Sequence, residues 1–133
     1  MTPIVINAFY FCDPDGHSQY VQSKEYIPVD DRTPYLGELT FRNITATNCH
    51  AAAAYMFGLP EQKIKKVTFE NVHFSYAQHP KAGVPAMMDG ADKTKKSGML
   101  AKNLEVLELN NVTISGQEGE EIMLDGVDVF SVK

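Results

Sequence analysis

Tryptophan is absent, and cysteine is limited to Cys12 and Cys49. The first absence removes the broadest flat platform for stacking on sugars. The second leaves no CxxC and no Cys/His cluster at metal-ligand spacing. That excludes a zinc site and a disulfide framework, and the two thiols are expected to be free and reduced. No apolar run approaches the roughly 18 residues that a membrane-crossing helix requires. Positive charge is also in short supply: 12 Lys and Arg stand against 17 Asp and Glu, for a net charge of −5. Nucleic acid rewards clustered cations, so it is excluded as a partner, as is a membrane. There is no Gly-rich phosphate loop and no nucleophile elbow. The opening MTPIVINAFYF carries neither a basic n-region nor a small-residue cleavage pattern, which reads as a chain without a leader, cytoplasmic as it stands.

What is present is a repeat. The 133 residues are 44% hydrophobic and 22% charged, enough apolar content for one domain with a real core. A strand-plus-asparagine unit occurs three times: Leu39-Thr40-Phe41-Arg42-Asn43-Ile44-Thr45, Val67-Thr68-Phe69-Glu70-Asn71-Val72-His73 and Leu107-Glu108-Leu109-Asn110-Asn111-Val112-Thr113. In each, apolar residues alternate with polar ones up to the Asn, and a β-branched residue follows it. This alternation is the pattern of a strand with one buried face. The asparagines are 28 and 40 residues apart, and periods of this size mark stacked repeats. Asn tolerates the left-handed backbone of a sharp bend. A column of Asn43, Asn71 and Asn111 would also let each amide donate to the next and satisfy polar atoms that water does not reach.

A second short unit follows each copy: Tyr55-Met56-Phe57-Gly58, Met87-Met88-Asp89-Gly90 and Met123-Leu124-Asp125-Gly126, each closed by a turn-forming Gly. The polar stretch Ala91 to Gly98 reads as a surface loop that lengthens the second step. The fold expected from this order is all-β, a right-handed parallel β-helix only a few coils long. It forms one domain over 1–133, with a first strand and long excursion over 1–36 and the repeated coils over 37–133. Pro3 to Phe11 is an apolar strand, Asp13-Pro14-Asp15-Gly16 a turn, and Ser18 to Pro34 a polar excursion. The four alanines Ala51 to Ala54 are too few to start a helix and lead into a strand instead.

The chemistry-bearing residues are sparse. Asp30-Asp31 sits beside Arg32 and reads as a locally paired turn. Glu118, Glu120 and Glu121 lie among glycines and read as an exposed turn. His17, His50, His73 and His79 have no metal-pair spacing, so no metal and no cofactor is expected. The Lys63-Lys65-Lys66 and Lys93-Lys95-Lys96 runs read as solvated charges that discourage edge pairing. Tyr10 is one residue out of phase with Phe9 and Phe11, so it points to the opposite face and is the aromatic candidate for a substrate contact.

Several segments together resemble one family. They are Pro3-Ile4-Val5-Ile6-Asn7 leading to Tyr10, Phe11-Cys12-Asp13-Pro14-Asp15-Gly16, Arg32-Thr33-Pro34, Gly58-Leu59-Pro60-Glu61, Val67 to Val72, Pro85-Ala86-Met87-Met88 and Gly116-Gln117-Glu118-Gly119. Over essentially the whole chain they resemble glycoside hydrolase family 28, the polygalacturonases and rhamnogalacturonases, bacterial members above all. The resemblance implies a parallel β-helix and, in a complete enzyme that could be exported, inverting hydrolysis of galacturonan bonds by paired carboxylates. The family's Asn-x-Asp, Asp-Asp, Gly-His-Gly and Arg-Ile-Lys motifs lie upstream of the matching segment. Asp15-Gly16-His17 is not Gly-His-Gly, and Asp30-Asp31 stands in the wrong place, so no catalytic residue is assigned. Tyr10 matches a family tyrosine that lines the sugar site, while Ala8 stands where that family commonly has Gln. Three readings stay open: an inactive C-terminal part of a pectin hydrolase, an enzyme completed by another chain, and a non-catalytic solenoid that binds glycan or acts as a scaffold. A cut across coils leaves bare strand edges, so self-association through the N-terminal end is expected.

Overall fold

The computed structural model describes residues 2–9, 17–84 and 90–133. The chain is all-β with almost no helix. Its strands are β1 (Ile4–Asn7), β2 (Glu38–Cys49), β3 (Ala52–Phe57), β4 (Ile64–Tyr76), β5 (Ser97–Ser115) and β6 (Ile122–Val132). One short helix, α1 (Gln19–Gln22), is capped by the Ser18 hydroxyl accepting from the Val21 N–H. Every strand pairing is parallel, in the order β1-β3-β5-β4-β2, with β6 added to β5. No antiparallel hairpin joins these strands.

The long strands each serve two columns. Ile4, Ala54, Met99 and Ile122 stand in register in one column, and so do Ile6, Met56, Ala101 and Leu124. In the other, Leu39, Val67, Leu107 and Phe130 are aligned, as are Phe41, Phe69, Leu109 and Val132. The middle rows are closed off from water: Met56, Val67, Phe69, Met99, Leu104 and Leu107 have no exposed surface, and all four alanines from Ala51 to Ala54 are fully buried. The outer rows are less covered. Leu39, Phe41 and Ile44 are only partly buried, and Phe130 and Val132 are 38% and 65% exposed.

Asn43, Asn71 and Asn111 occupy one register position, with φ of 56°, 55° and 52°. Asn71 donates through Nδ2 to Asn43 Oδ1 at 2.9 Å, and Asn111 donates to Asn71 Oδ1 at 3.0 Å. His73 adds a contact to Asn71 Oδ1 at 3.1 Å through Nε2, and its Nδ1 meets the Thr113 hydroxyl at 2.7 Å. Asn71 Oδ1 is an acceptor, so Nε2 of a neutral His73 carries the proton and Nδ1 accepts from Thr113. The amide column is not buried as its proposed purpose required: all three asparagines are exposed on the outside of the bend. Backbone geometry, not desolvation, therefore selects Asn here. Asn71→Ala loses the ladder bonds and strains a left-handed residue, so it should destabilise by about 2 kcal/mol. Asn71→Gly loses the bonds alone and should cost about half as much. Urea midpoints with unchanged slope would check the order; equal losses for the two variants would contradict it.

The second turn column differs from the sequence expectation. Gly58 and Gly126 do share a register position, but the residue between them is Asn103, not Gly90. Asn103 has φ 58° and donates to the Gly58 carbonyl at 3.1 Å. The strand in that row is Ser97–Lys102 of β5, so Ser97 and Gly98 belong to the strand and not to the preceding loop. Gly90 lies in the connection between β4 and β5, and Met87 to Asp89 fall outside the described residues. The turn position of the 97–103 segment carries Asn103 in place of a Gly, so a pattern read from closing glycines does not mark it.

Cys49 is a free, buried thiol, pushed up by burial; Cys12 lies outside the described residues. Tyr76 is opposite Cys49 and donates its hydroxyl to the Ser97 carbonyl. Burial, with smaller contributions from Cys49 and Glu121, pushes its phenol up to about 12. A folded value above the unfolded value of roughly 10 favours the neutral form, so this stabilisation is complete below pH ~10 and is lost as pH rises toward 12. Tyr76→Phe should flatten the fall of stability between those limits. An identical alkaline profile by circular dichroism would exclude a contribution from Tyr76.

Candidate functional site

In the strand Ala52–Phe57, Ala54 and Met56 face the core, so Tyr55 and Phe57 face the other side of the sheet. In the next row, Leu100 is opposite Tyr55 and Lys102 opposite Phe57. Two excursions rise around this outer face. One brings Phe9 and Lys24, and the other brings Gly90 to Thr94. Together they enclose a cavity of about 250 Å³, large enough for a single sugar residue and open to solvent on one side.

Its floor is aromatic. The Tyr55 and Phe57 rings are 5.5 Å apart and tilted by 43°. Tyr55 is 1% exposed, hydrogen-bonded to the Thr94 hydroxyl, and its phenol is pushed up by burial. Thr94 donates in turn to the Ala51 carbonyl at 3.1 Å, which pins the second excursion to the start of β3. Two ammonium groups flank the floor. Lys24 Nζ lies 4.1 Å from the centroid of the Phe9 ring and donates to the Gln22 carbonyl at 2.7 Å. Gln22 Nε2 donates to the Phe9 carbonyl at 2.6 Å, so helix α1 holds Lys24 in place. Lys102 stands 3.6 Å from Asp125, a solvent-exposed pair of little intrinsic strength. Among the described residues Asp92 is the one carboxylate lining the cavity, and no group of three His, Cys, Asp or Glu side chains could hold a metal.

Tyr10, the substrate-contact candidate, lies outside the described residues. Its neighbour Phe9 is 3% exposed and packs with Leu59 in a satellite cluster beside the cavity. Tyr55, Phe57, Lys24 and Lys102 were not singled out from the sequence. For the two aromatics a signal existed, since they alternate with Met56 in a strand already recognised. For Lys102 none existed, because it lies outside both lysine runs.

The other candidates stand apart from this cavity. Asp30 pairs with Arg32 at 2.8 Å, and that guanidinium, 4.1 Å from the Tyr20 ring, holds the carboxyl below its usual range. Glu118, Glu120 and Glu121 are exposed. Lys63 reaches Asp128 at 2.6 Å and Lys66 reaches Glu108 at 3.4 Å, so part of the first lysine run ties rows together across the sheet. His50 accepts from the Lys81 N–H at 3.0 Å, a role in anchoring a loop. Comparison with family models, with curated proteins and with solved structures finds no match for this chain.

Proposed function

We propose that this chain is the C-terminal part of a right-handed parallel β-helix of the family 28 type, and that its outer-face cavity is one wall of a cleft for a pectic, galacturonate-bearing chain. The wholly parallel register supports the solenoid, since parallel crossovers within one sheet are right-handed in about 98% of cases. The observation that carries the functional reading is the pairing of an aromatic floor, the Phe57 ring backed by the buried Tyr55, with two flanking ammoniums, Lys24 and Lys102. A uronic acid has an apolar ring face that suits the floor and a carboxylate that suits the cations. Inverting hydrolysis requires two carboxyl groups roughly 6.5–9.5 Å apart. With Asp92 alone among the described lining residues, the chain by itself binds such a sugar without cleaving it.

Calorimetric titration with oligogalacturonides tests this. Binding should weaken with salt, and Lys102→Ala should weaken it about tenfold, the equivalent of ~1.4 kcal/mol. Asp125 competes for Lys102, so Asp125→Asn should tighten binding. Equal affinity for a neutral oligosaccharide of the same length would remove the charge argument. Release of new reducing ends would show that the chain is active alone.

A further inference from the structure

One residue holds both arms of the excursion that walls the cavity. This excursion lies between β4 and β5, and its Gly90 to Thr94 stretch lines the cavity. His50 stands at the corner between β2 and β3. Its carbonyl accepts the Lys96 N–H of the returning arm at 2.7 Å, and its ring Nδ1 accepts the Lys81 N–H of the outgoing arm at 3.0 Å. The arms are also tied to each other, since Gly83 and Thr94 exchange two backbone bonds of 2.9 and 2.8 Å. Thr94 in turn meets the Tyr55 hydroxyl at the cavity floor and donates to the Ala51 carbonyl at 3.1 Å. The path from the His50 ring to the cavity is therefore short: Lys81, Gly83, Thr94, Tyr55.

The two arms are not held alike. The returning arm places the Lys96 and Ser97 N–H groups on the His50 and Ala51 carbonyls, at 2.7 and 3.1 Å, with the Thr94 hydroxyl besides. The outgoing arm leaves the coils at Ala77, whose N–H donates to the Cys49 carbonyl at 3.0 Å. From there to Gly83, its one tie to the coils among the described residues is the His50 ring. A carbonyl accepts at any pH, but an imidazole nitrogen accepts only while it is unprotonated. Lys81 donates from its backbone, so Nδ1 supplies the lone pair and Nε2 carries the proton. A second proton would turn Nδ1 into a donor aimed at a donor. Imidazole is the side chain that makes this change between about pH 5 and 8, and the ring is partly open to solvent. Charged groups on the surrounding elements are His79 and Lys81 on the outgoing arm and Lys95 and Lys96 on the returning arm. Glu118 joins them from the turn after β5, where its N–H donates to the Lys96 carbonyl at 2.8 Å.

We infer that His50 is a proton-sensitive positioning residue that couples sugar binding in the cavity to pH. With the ring neutral, the outgoing arm is fixed at Lys81, the Gly83 pair holds Thr94 against Tyr55, and Ala91 and Asp92 stand as a wall. With the ring protonated, the outgoing arm is released between Ala77 and Gly83, and the wall loses half of its support. Affinity then falls in mild acid. The sugar's own carboxyl does not cause this fall, because carboxyl groups of that kind titrate near pH ~3.5 and stay ionised throughout. The coupling rests on the reading of the cavity as a uronate site; the bond from Lys81 to the His50 ring does not.

The experiment is calorimetric titration of the whole chain with oligogalacturonides at about pH 8 and about pH 5.5. Wild type should weaken about fivefold in acid, the scale of one lost hydrogen bond. His50→Asn sets an amide oxygen at the same bond distance from Cβ as Nδ1, and that oxygen accepts without titrating. This variant should bind like wild type at the higher pH and show no loss at the lower one. His50→Ala should bind weakly at both. A wild type with unchanged affinity overturns the latch while leaving the sugar site intact, and so does a His50→Asn variant that still weakens fivefold. If no sugar binds at either pH, the uronate reading fails and hydrogen exchange at the Lys81 amide decides the latch alone. Its protection, corrected for the pH dependence of an open amide, should drop about fivefold in acid in wild type and hold in His50→Asn. Unchanged protection in wild type refutes the latch, and neither comparison depends on His50→Ala folding.

Discussion

Phe69→Ala should lower the unfolding free energy by about 3–5 kcal/mol, a large part of the 5–15 kcal/mol that holds a domain of this size together. Phe69 is fully buried as the sixth residue of β4, with a row of strand on either side of it. Its ring stacks on Phe41 at a centroid distance of 5.1 Å and meets Phe74 edge-on at 6.4 Å. Truncation removes both ring contacts and leaves a cavity between backbones that neighbouring rows hold at fixed spacing. The wall cannot collapse to fill it, because moving β4 inward would break its pairing with both β2 and β5. The expected result is a lower urea midpoint by circular dichroism. Phe41→Ala is the control: Phe41 is only partly buried in the outermost row, so it should cost less than half as much. If the two substitutions prove equal, the core is not organised by rows as described.

Phe69 was legible in the sequence because it sits in a unit that recurs, and its recurrence fixed both its phase and its register. The same holds for Asn43, Asn71 and Asn111: spacing located the bend, although the reason assigned to it was burial and the side chains are in fact exposed. Legibility failed where the structural position is conserved in backbone but not in residue type. Asn103 does the work of a turn glycine at φ 58°, so a search for Gly closed the unit at Gly90 instead. The cavity failed for a different reason. Its floor belongs to β3, but Lys24 and Thr94 arrive on excursions whose paths depend on bonds such as Gln22 to the Phe9 carbonyl and Thr94 to the Ala51 carbonyl. Those are contacts between residues 13 and 43 positions apart, with no periodicity to announce them. Periodic residues carry their own address; a site assembled from insertions does not.

Gly98→Ala should be the most damaging small change at the other end of the stack. Gly98 is buried at the start of β5, and a Cβ there would lie 2.6 Å from the carbonyl carbon of Glu121 and closer still to its oxygen. That oxygen already accepts the Met99 N–H at 2.9 Å. Backbone meets backbone, so no side chain can swing aside. The remaining response is for the strand carrying Ile122 to move away, which breaks the Met99 bond and opens the row that follows. We expect a loss of about 3 kcal/mol or more, from overpacking and the bond lost with it. The loss should also be local, unlike that of Phe69→Ala. Among the strands β6 pairs with β5 alone, and in a stack where each row touches its neighbours an end row can open while the rest stays closed. Amide exchange should therefore accelerate through Ile122 to Val132 while Val67, Phe69 and Val72 keep their protection. Uniform acceleration across β4 and β6 would show that the rows unfold as one unit.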